Sequence, residues 1–243
     1  MHISRLALDR YRSWDSCVLD FGPGVTILQG RNGLGKTNLV EAVEVLATGG
    51  SHRTSSSLPL VKRGERSAVI RANVEDAGRT TTYELTVPAR GANRARINGG
   101  PSLYMRDILG RIPCVTFAPE DQRLVSGDPA GRRGFLNQAG AMLDRTYWDA
   151  SQRFAHVAQQ RAALLRQIAQ AGRNGTPVDA ALSGLEVWTG QFIEAGIAIT
   201  RMRRHLIALL AEPFARIYRD LADRKSTRLN SSHIQKSRMP SSA

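Results

Sequence analysis

Cysteine is almost missing from this chain of 243 residues: Cys17 and Cys114 stand far apart, and neither belongs to a metal-ligand spacing. That excludes a disulfide framework or a structural zinc site as the organising feature, and both thiols are expected to be reduced and structural. No apolar run approaches the roughly 18 residues that a membrane span needs. The first residues, MHISRLALDRYRSW, have neither the cationic start nor the apolar centre of a secretory leader. With 6% aromatic and 42% hydrophobic residues, the composition is that of an ordinary soluble globular protein, and the cytoplasm is the expected compartment.

Acid is also in deficit. The formal net charge is +13, a balance that points to nucleic acid or another polyanion. Part of that charge comes from the last residues, DRKSTRLNSSHIQKSRMPSSA, which have no hydrophobic periodicity and follow a helical pattern without a stop signal. One reading is a disordered basic tail that touches nucleic acid. The other comes from the genetic code: DRKSTRLNSSH back-translates into a common sequencing-adapter read. Residues 223–243 are therefore expected to be an adapter-derived tail on a truncated reading frame, and are set aside in the fold reading. Removing the five basic residues and one acid of this tail leaves +9, which is still basic.

Along the chain, HISRLALDRY and DSCVLDF alternate as strands, and VTILQ is a third apolar run that enters a glycine-rich loop. TNLVEAVEVLATGG then places Leu39, Val40, Val43 and Leu46 on one helical face and stops at Gly49 and Gly50. SAVIRANVE, RTTTYELTVPA and RIPCVTF read as further strands, and RARINGG carries the Asn-Gly of a tight hairpin. From about Arg132 helix formers dominate, in two long segments, Tyr147 to Gln170 and Leu185 to Leu221, joined by the breaker AGRNGTPVD. A helical hairpin with a coiled-coil-like seam is the expected result.

The loop itself, GRNGLGKT at residues 30 to 37, fits G-x-x-x-x-G-K-[ST]. Gly30, Gly33 and Gly35 let the backbone approach phosphate oxygens. Arg31, Asn32 and Leu34 complete the cradle, and the helix from Lys36 turns its N-terminal N–H groups towards the charge. Lys36 is expected to reach the β and γ phosphates of ATP, and Thr37 to offer its hydroxyl to Mg²⁺. The competing reading is a glycine-rich turn with an incidental Lys-Thr, which the strand before and the helix after argue against.

Hydrolysis needs more: an acid holding Mg²⁺ at the end of an apolar strand, and a second carboxylate for the attacking water. ALSGLEVW followed by LIALLAEPFA imitates the signature motif and magnesium strand of ATP-binding-cassette proteins. However, Ala211 stands at the Mg²⁺-ligand position, and Trp188, Phe192, Ile199, Met202, Leu206, Leu209 and Leu210 continue one helix. The catalytic residues are therefore unknown from this sequence.

LALDRYRSW, GRNGLGKTNLVEAVEVLATGGSHR, VTFAPEDQRLVSGDPAGRRGFLNQ, QQRAALLRQ and WTGQFIEAGIAITRMR together resemble one family in its own order. That family is RecF, the bacterial recombinational repair ATPases related to the heads of structural-maintenance-of-chromosomes proteins. The resemblance implies an α/β fold: a P-loop ABC-type ATPase head built from two chain segments with a helical lobe between them. Residues 1–130 would be the head's first part and 131–222 the lobe. It also implies that the signature motif and the Mg²⁺ strand lie beyond the lobe. The parent would be a slow ATPase that dimerises on ATP, grips DNA near single-strand gaps, and works with RecR and RecO to load RecA, whereas this fragment would be inactive. FLNQ departs from the family, which usually has an acid where Asn137 stands. Another chromosome-maintenance head or a metabolic P-loop kinase remain as alternatives; the former would need a longer coiled coil and the latter an acceptor pocket.

On the family's pattern Tyr11, Arg12 and Trp14 lie where the base is expected. Arg12 either stacks on adenine or is a surface arginine beside a core aromatic. Glu120 and Asp121 either sense Mg²⁺ or cap a helix. His52 and Arg53 either touch DNA or a partner subunit, or lie in a solvated loop. Arg132 and Arg133 contact DNA phosphates or pair within the lobe, and Arg201, Arg203 and Arg204 read as a solvated helix face.

Overall fold

The computed structural model describes residues 1–174 and 179–236, with the backbone alone at 179–181 and 224–236. Residues 175–178 of the breaker and 237–243 of the tail lie outside the described residues. The chain divides into two compact units, Met1–Asp149 and Ala150–Ala243.

The first unit is built on a six-stranded sheet of β1 (His2–Tyr11), β2 (Trp14–Asp20), β3 (Ser67–Asp76), β4 (Arg79–Pro88), β5 (Arg94–Ile97) and β6 (Leu103–Tyr104). The strand order is β2-β1-β3-β4-β5-β6, and every pairing is antiparallel. The β3–β4 hairpin turns on Ala77 and Gly78, both at positive φ, which matches the twist of two-residue hairpins. β3 alternates strictly between half-buried and buried positions from Ser67 to Val74, so Ala68, Ile70, Ala72 and Val74 line one face. Leu6 and Leu8, and Leu85 and Val87, extend that face across β1 and β4.

Helix α1 (Lys36–Thr48) packs on this face and ends on Gly49 at φ 75. It buries Leu39, Ala42, Val45, Leu46 and Ala47. The apolar stripe read from the sequence needs one correction. Val40 is exposed, whereas Glu41 and Glu44 are buried, because the helix is rotated to bring two carboxylates to partners on neighbouring segments.

Two expected strands do not form. Residues 25–29 and 111–117 have no ladder partner, and Val25, Ile27, Val115 and Phe117 are 94, 83, 90 and 92% exposed. Their apolar character suits a strand covered on both faces. Among the described residues, nothing pairs with them. After them come α2 (Arg123–Ser126) and α3 (Pro129–Leu143). α4 (Arg145–Arg173) starts in this unit, where the Tyr147 ring closes over Gly140 so tightly that a Cβ there would lie 2.6 Å from it.

The second unit is an antiparallel hairpin of α4, from Ala150 on, and α5 (Asp179–Lys236). Phe154 meets Phe192 at 5.3 Å between ring centroids, and His156 meets Trp188 edge-on at 6.2 Å. Arg161 lies over the Phe192 ring while its Nε donates to Thr189. Residues 206–215, the strand-like LIALLAEPFA, are helical and hold Pro213 inside α5. The helix runs on to Lys236 through a stretch without Gly or Pro, the residues that would break it. Among the described residues no helix is long and apolar enough to cross a membrane.

If residues 25–29 are unpaired in this chain, Ile27→Asp should change its unfolding free energy by less than about 0.5 kcal/mol and raise the soluble fraction. Ile70→Ala, in the sheet's core, should cost about 2–5 kcal/mol. Urea unfolding of both variants checks this.

Candidate nucleotide-binding site

The turn between β1 and β2, the glycine loop and the start of α1 meet at one place. Gly33 and Gly35 have φ of 85° and 82°, the left-handed region that glycine enters without steric cost. Gly35 is further constrained, since a Cβ on it would lie 2.9 Å from Trp14 Nε1 and 3.1 Å from Ser13 Oγ. Gly35 caps α1, its carbonyl accepting from the Asn38 and Leu39 N–H groups at 3.0 and 3.2 Å. Lys36 turns back over the loop, Nζ donating to the carbonyls of Gly30 (2.7 Å) and Arg31 (2.8 Å). The loop is thus a ring closed by an ammonium group, next to a helix N-terminus whose dipole favours an anion.

Arg31, Asn32, Gly33, Leu34 and Thr37 are exposed along this ring. These residues fit a nucleoside triphosphate: Gly33 and Gly35 hold the loop in a left-handed turn that exposes its backbone, and Lys36 can exchange two carbonyls for phosphate oxygens. Thr37 is exposed at the start of α1. Among the described residues no group of three or more His, Cys, Asp or Glu forms a metal cluster.

The residue that organises the surroundings was not singled out in the sequence. Glu41 is fully buried. Its Oε2 accepts from Arg12 Nε at 2.9 Å and from Arg53 Nη1 at 2.9 Å, while Oε1 accepts from Arg12 Nη2 and Ser51 Oγ. Arg12 Nη1 also donates to the Pro59 carbonyl at 2.9 Å. Asn38 joins this group to the β1–β2 turn, accepting from Arg53 Nη1 at 2.9 Å and donating to Ser13 Oγ at 3.1 Å. Burial pushes the Glu41 carboxyl up, but the hydrogen bonds from Arg12 and Ser51 and the two guanidinium charges outweigh it, so its pKa is lowered. One turn on, the buried Glu44 meets His52 Nδ1 at 2.6 Å and the His52 N–H at 3.1 Å.

Ser51, His52 and Arg53 therefore serve as partners of two carboxylates on α1, and Arg12 is held edge-on by Glu41. Tyr11 is fully buried, and Trp14 packs against the core and Gly35. The signal that marks this network in sequence is a pair of acids three apart in an otherwise apolar helix, followed by Ser-His-Arg.

The remaining candidates lie elsewhere. Asp121 Oδ2 accepts from the Ala118 N–H at 2.7 Å, a capping contact, and Glu120 is exposed. Arg132 Nη1 donates to the carbonyls of Leu124 (3.3 Å) and Gly127 (2.9 Å), and Arg133 is exposed. Asn137 accepts from the Tyr147 hydroxyl at 3.2 Å. Arg201 and Arg204 are exposed on α5 and Arg203 is half-buried. Cys17 and Cys114 are free thiols. A cavity of about 350 Å³ lined by Glu44, Ser51, His52, Asn137 and Trp148 opens beside the C-terminal half of α1, and its lining includes none of residues 30–37.

A family model described as an AAA domain matches residues 5–108. A DNA replication and repair protein RecF of Bifidobacterium longum subsp. infantis is 68% identical over 91% of this chain and 54% of its own length. The protein of the same name from Bifidobacterium adolescentis is 65% identical over 91% of this chain and 56% of its own. Among solved structures, the recombination mediator protein RecF with ATP in the RecFOR pathway superposes with a TM-score of 0.76 at 26% identity, over 85% of this chain and 54% of that one. The chain thus spans about half the length of the curated relatives it matches.

Removing Glu41 leaves two guanidiniums without their shared counter-charge. Glu41→Ala should cost about 3 kcal/mol, the low end for a broken buried pair because Arg53 is partly exposed. A lowered pKa means that the contribution is complete above the unfolded value of about 4.3 and is lost as pH falls through the folded value below it. The gap in unfolding free energy between wild type and Glu41→Gln should therefore be flat from about pH 8 to 5 and narrow in stronger acid, as urea titrations at stepped pH will read.

Proposed function

We propose, on the premise that the chain belongs to the RecF family over the 91% of its length that aligns with named members, that it is the ATP-clasping amino-terminal part of an ATP-dependent DNA-binding protein of recombinational repair and replication. The observation that carries this is the closed loop: glycines at positive φ, a helix N-terminus, and Lys36 bridging Gly30 and Arg31.

On this reading the loop N–H groups and Lys36 hold the β and γ phosphates, and the Thr37 hydroxyl is one ligand of Mg²⁺. Bound Mg²⁺ would supply charge neutralisation on the phosphate oxygens. Arg12, with three N–H donors committed in its own plane, offers a guanidinium face to the purine, the part of the group that stacks. The whole protein would close as a homodimer over ATP, grip DNA near single-strand gaps, and work with RecR and RecO to load RecA. The RecFOR pathway of a similar solved structure supports that assignment. ATP would act as a switch by favouring the closed dimer, with hydrolysis as the release step. A net charge of +13, or +9 without residues 223–243, supports sequence-blind DNA binding that weakens steeply with salt.

The hydrolytic acid and signature motif are assigned to the half of the parent that this chain does not match, so the chain should bind ATP and turn it over negligibly. Residues 131–222 are read as the helical lobe and 223–243 as an adapter-derived tail, which alignments covering 91% of the chain support.

Titration with a fluorescent ATP analogue in Mg²⁺ tests the reading. Lys36→Ala should weaken binding at least about tenfold, roughly 1.4 kcal/mol, and Arg12→Ala should weaken ATP more than triphosphate alone. Equal affinity in Lys36→Ala, or sustained Lys36-dependent phosphate release by this chain, would contradict it.

A further inference from the structure

Stability alone does not call for a charged group at position 41, although removing the carboxylate while its partners stay is costly. The neighbours of Glu41 on α1, Ala42 and Val45, are buried and apolar, and a buried ion pair replaced by well-packed apolar side chains is often neutral or stabilising. Its position is also unbalanced, with one carboxylate shared by two guanidiniums, so the group keeps one positive charge beside the cationic loop.

The geometry says what is left over. Arg12 spends Nε, Nη2 and Nη1 on Glu41 and Pro59, which fixes the plane of its guanidinium. Arg53 spends only Nη1, on Glu41 and Asn38, and among the described residues its Nε and Nη2 make no hydrogen bond. Its side chain is 37% exposed. Asn38, the hinge between Arg53 and Ser13, follows directly on Thr37 of the loop, and Ser13 packs against Gly35. One buried carboxylate thus sets the orientation of two cations, and Asn38 and Ser13 link that group to the start of α1 beside the loop.

We propose that Glu41 is a positioning residue for nucleotide binding: it holds Arg12 and Arg53 in the orientation in which they meet a bound nucleoside triphosphate, Arg12 through its face and Arg53 through its uncommitted donors on the phosphate chain. This rests on the reading of the loop as an ATP cradle. Glu44 provides an internal comparison. It is a buried carboxylate on the same helix, one turn on, and its hydrogen bonds go to His52 and reach neither Arg12 nor Arg53.

The test compares ATP affinity and melting temperature in the 243-residue chain and in Glu41→Gln, Glu41→Asp, Arg53→Lys, the double variant Glu41→Gln/Arg53→Lys, Glu44→Gln and Lys36→Ala. Glu41→Gln should raise the Kd for ATP about tenfold, Glu41→Asp should recover part of it, and Glu44→Gln should stay within about twofold of wild type while also lowering the melting temperature. Residues acting through one network are not additive, so the double variant should bind no worse than Glu41→Gln. A Glu41→Gln protein that melts earlier but keeps its Kd has a purely structural carboxylate, and that overturns the proposal. So does a double variant whose defects multiply. Should Glu41→Gln fail to fold, Arg53→Lys decides: it leaves the carboxylate and Arg12 in place and must raise the Kd by a similar factor. If Lys36→Ala binds as wild type does, the cradle reading has failed instead.

Discussion

The cost of burying the charged Glu41 is the constraint around which the nucleotide end of this molecule is arranged. An isolated carboxylate in a core would neutralise or force the helix out. Here Arg12, Arg53 and Ser51 meet it, and in doing so they tie two separate stretches to α1: the β1–β2 turn and the segment after the helix. The orientation of α1 follows, with Val40 turned to solvent. So does the close approach of Trp14 and Ser13 to Gly35, which only glycine permits. The cradle is therefore held from outside as well as by Lys36 from within.

The same unit also carries unsatisfied demands. Residues 25–29 lead into the loop and 111–117 lead out towards α2, both apolar and both without a ladder. Exposed apolar segments without a ladder are the kind that pair with other chains.

Much of this was legible in the residues. Strict alternation in SAVIRANVE and RTTTYELTVPA reports a sheet with one covered face, and β3 and β4 fall at those positions. The long helical pattern after Arg132 and the breaker near residue 174 locate the hairpin of α4 and α5. VTILQ and RIPCVTF were misread because periodicity reports what a segment is suited to, whereas a strand exists only where a neighbour offers its backbone. The loop was legible because its spacing is chemical. The Glu41 and Glu44 network was not, since a polar residue in an apolar helix reads as a solvated position until its partners, distant in sequence, are placed. His52 and Arg53 were weighed as outward-facing contacts for that reason, and their ring nitrogen and guanidinium point to α1.

A structure of the chain with ATP and Mg²⁺ tests the central claim most directly. The account predicts that Lys36 Nζ leaves the carbonyls of Gly30 and Arg31 for phosphate oxygens, with the N–H groups of residues 33–37 around the same phosphates. At saturating ATP, a loop still closed on those two carbonyls, or a nucleotide held elsewhere, would contradict it.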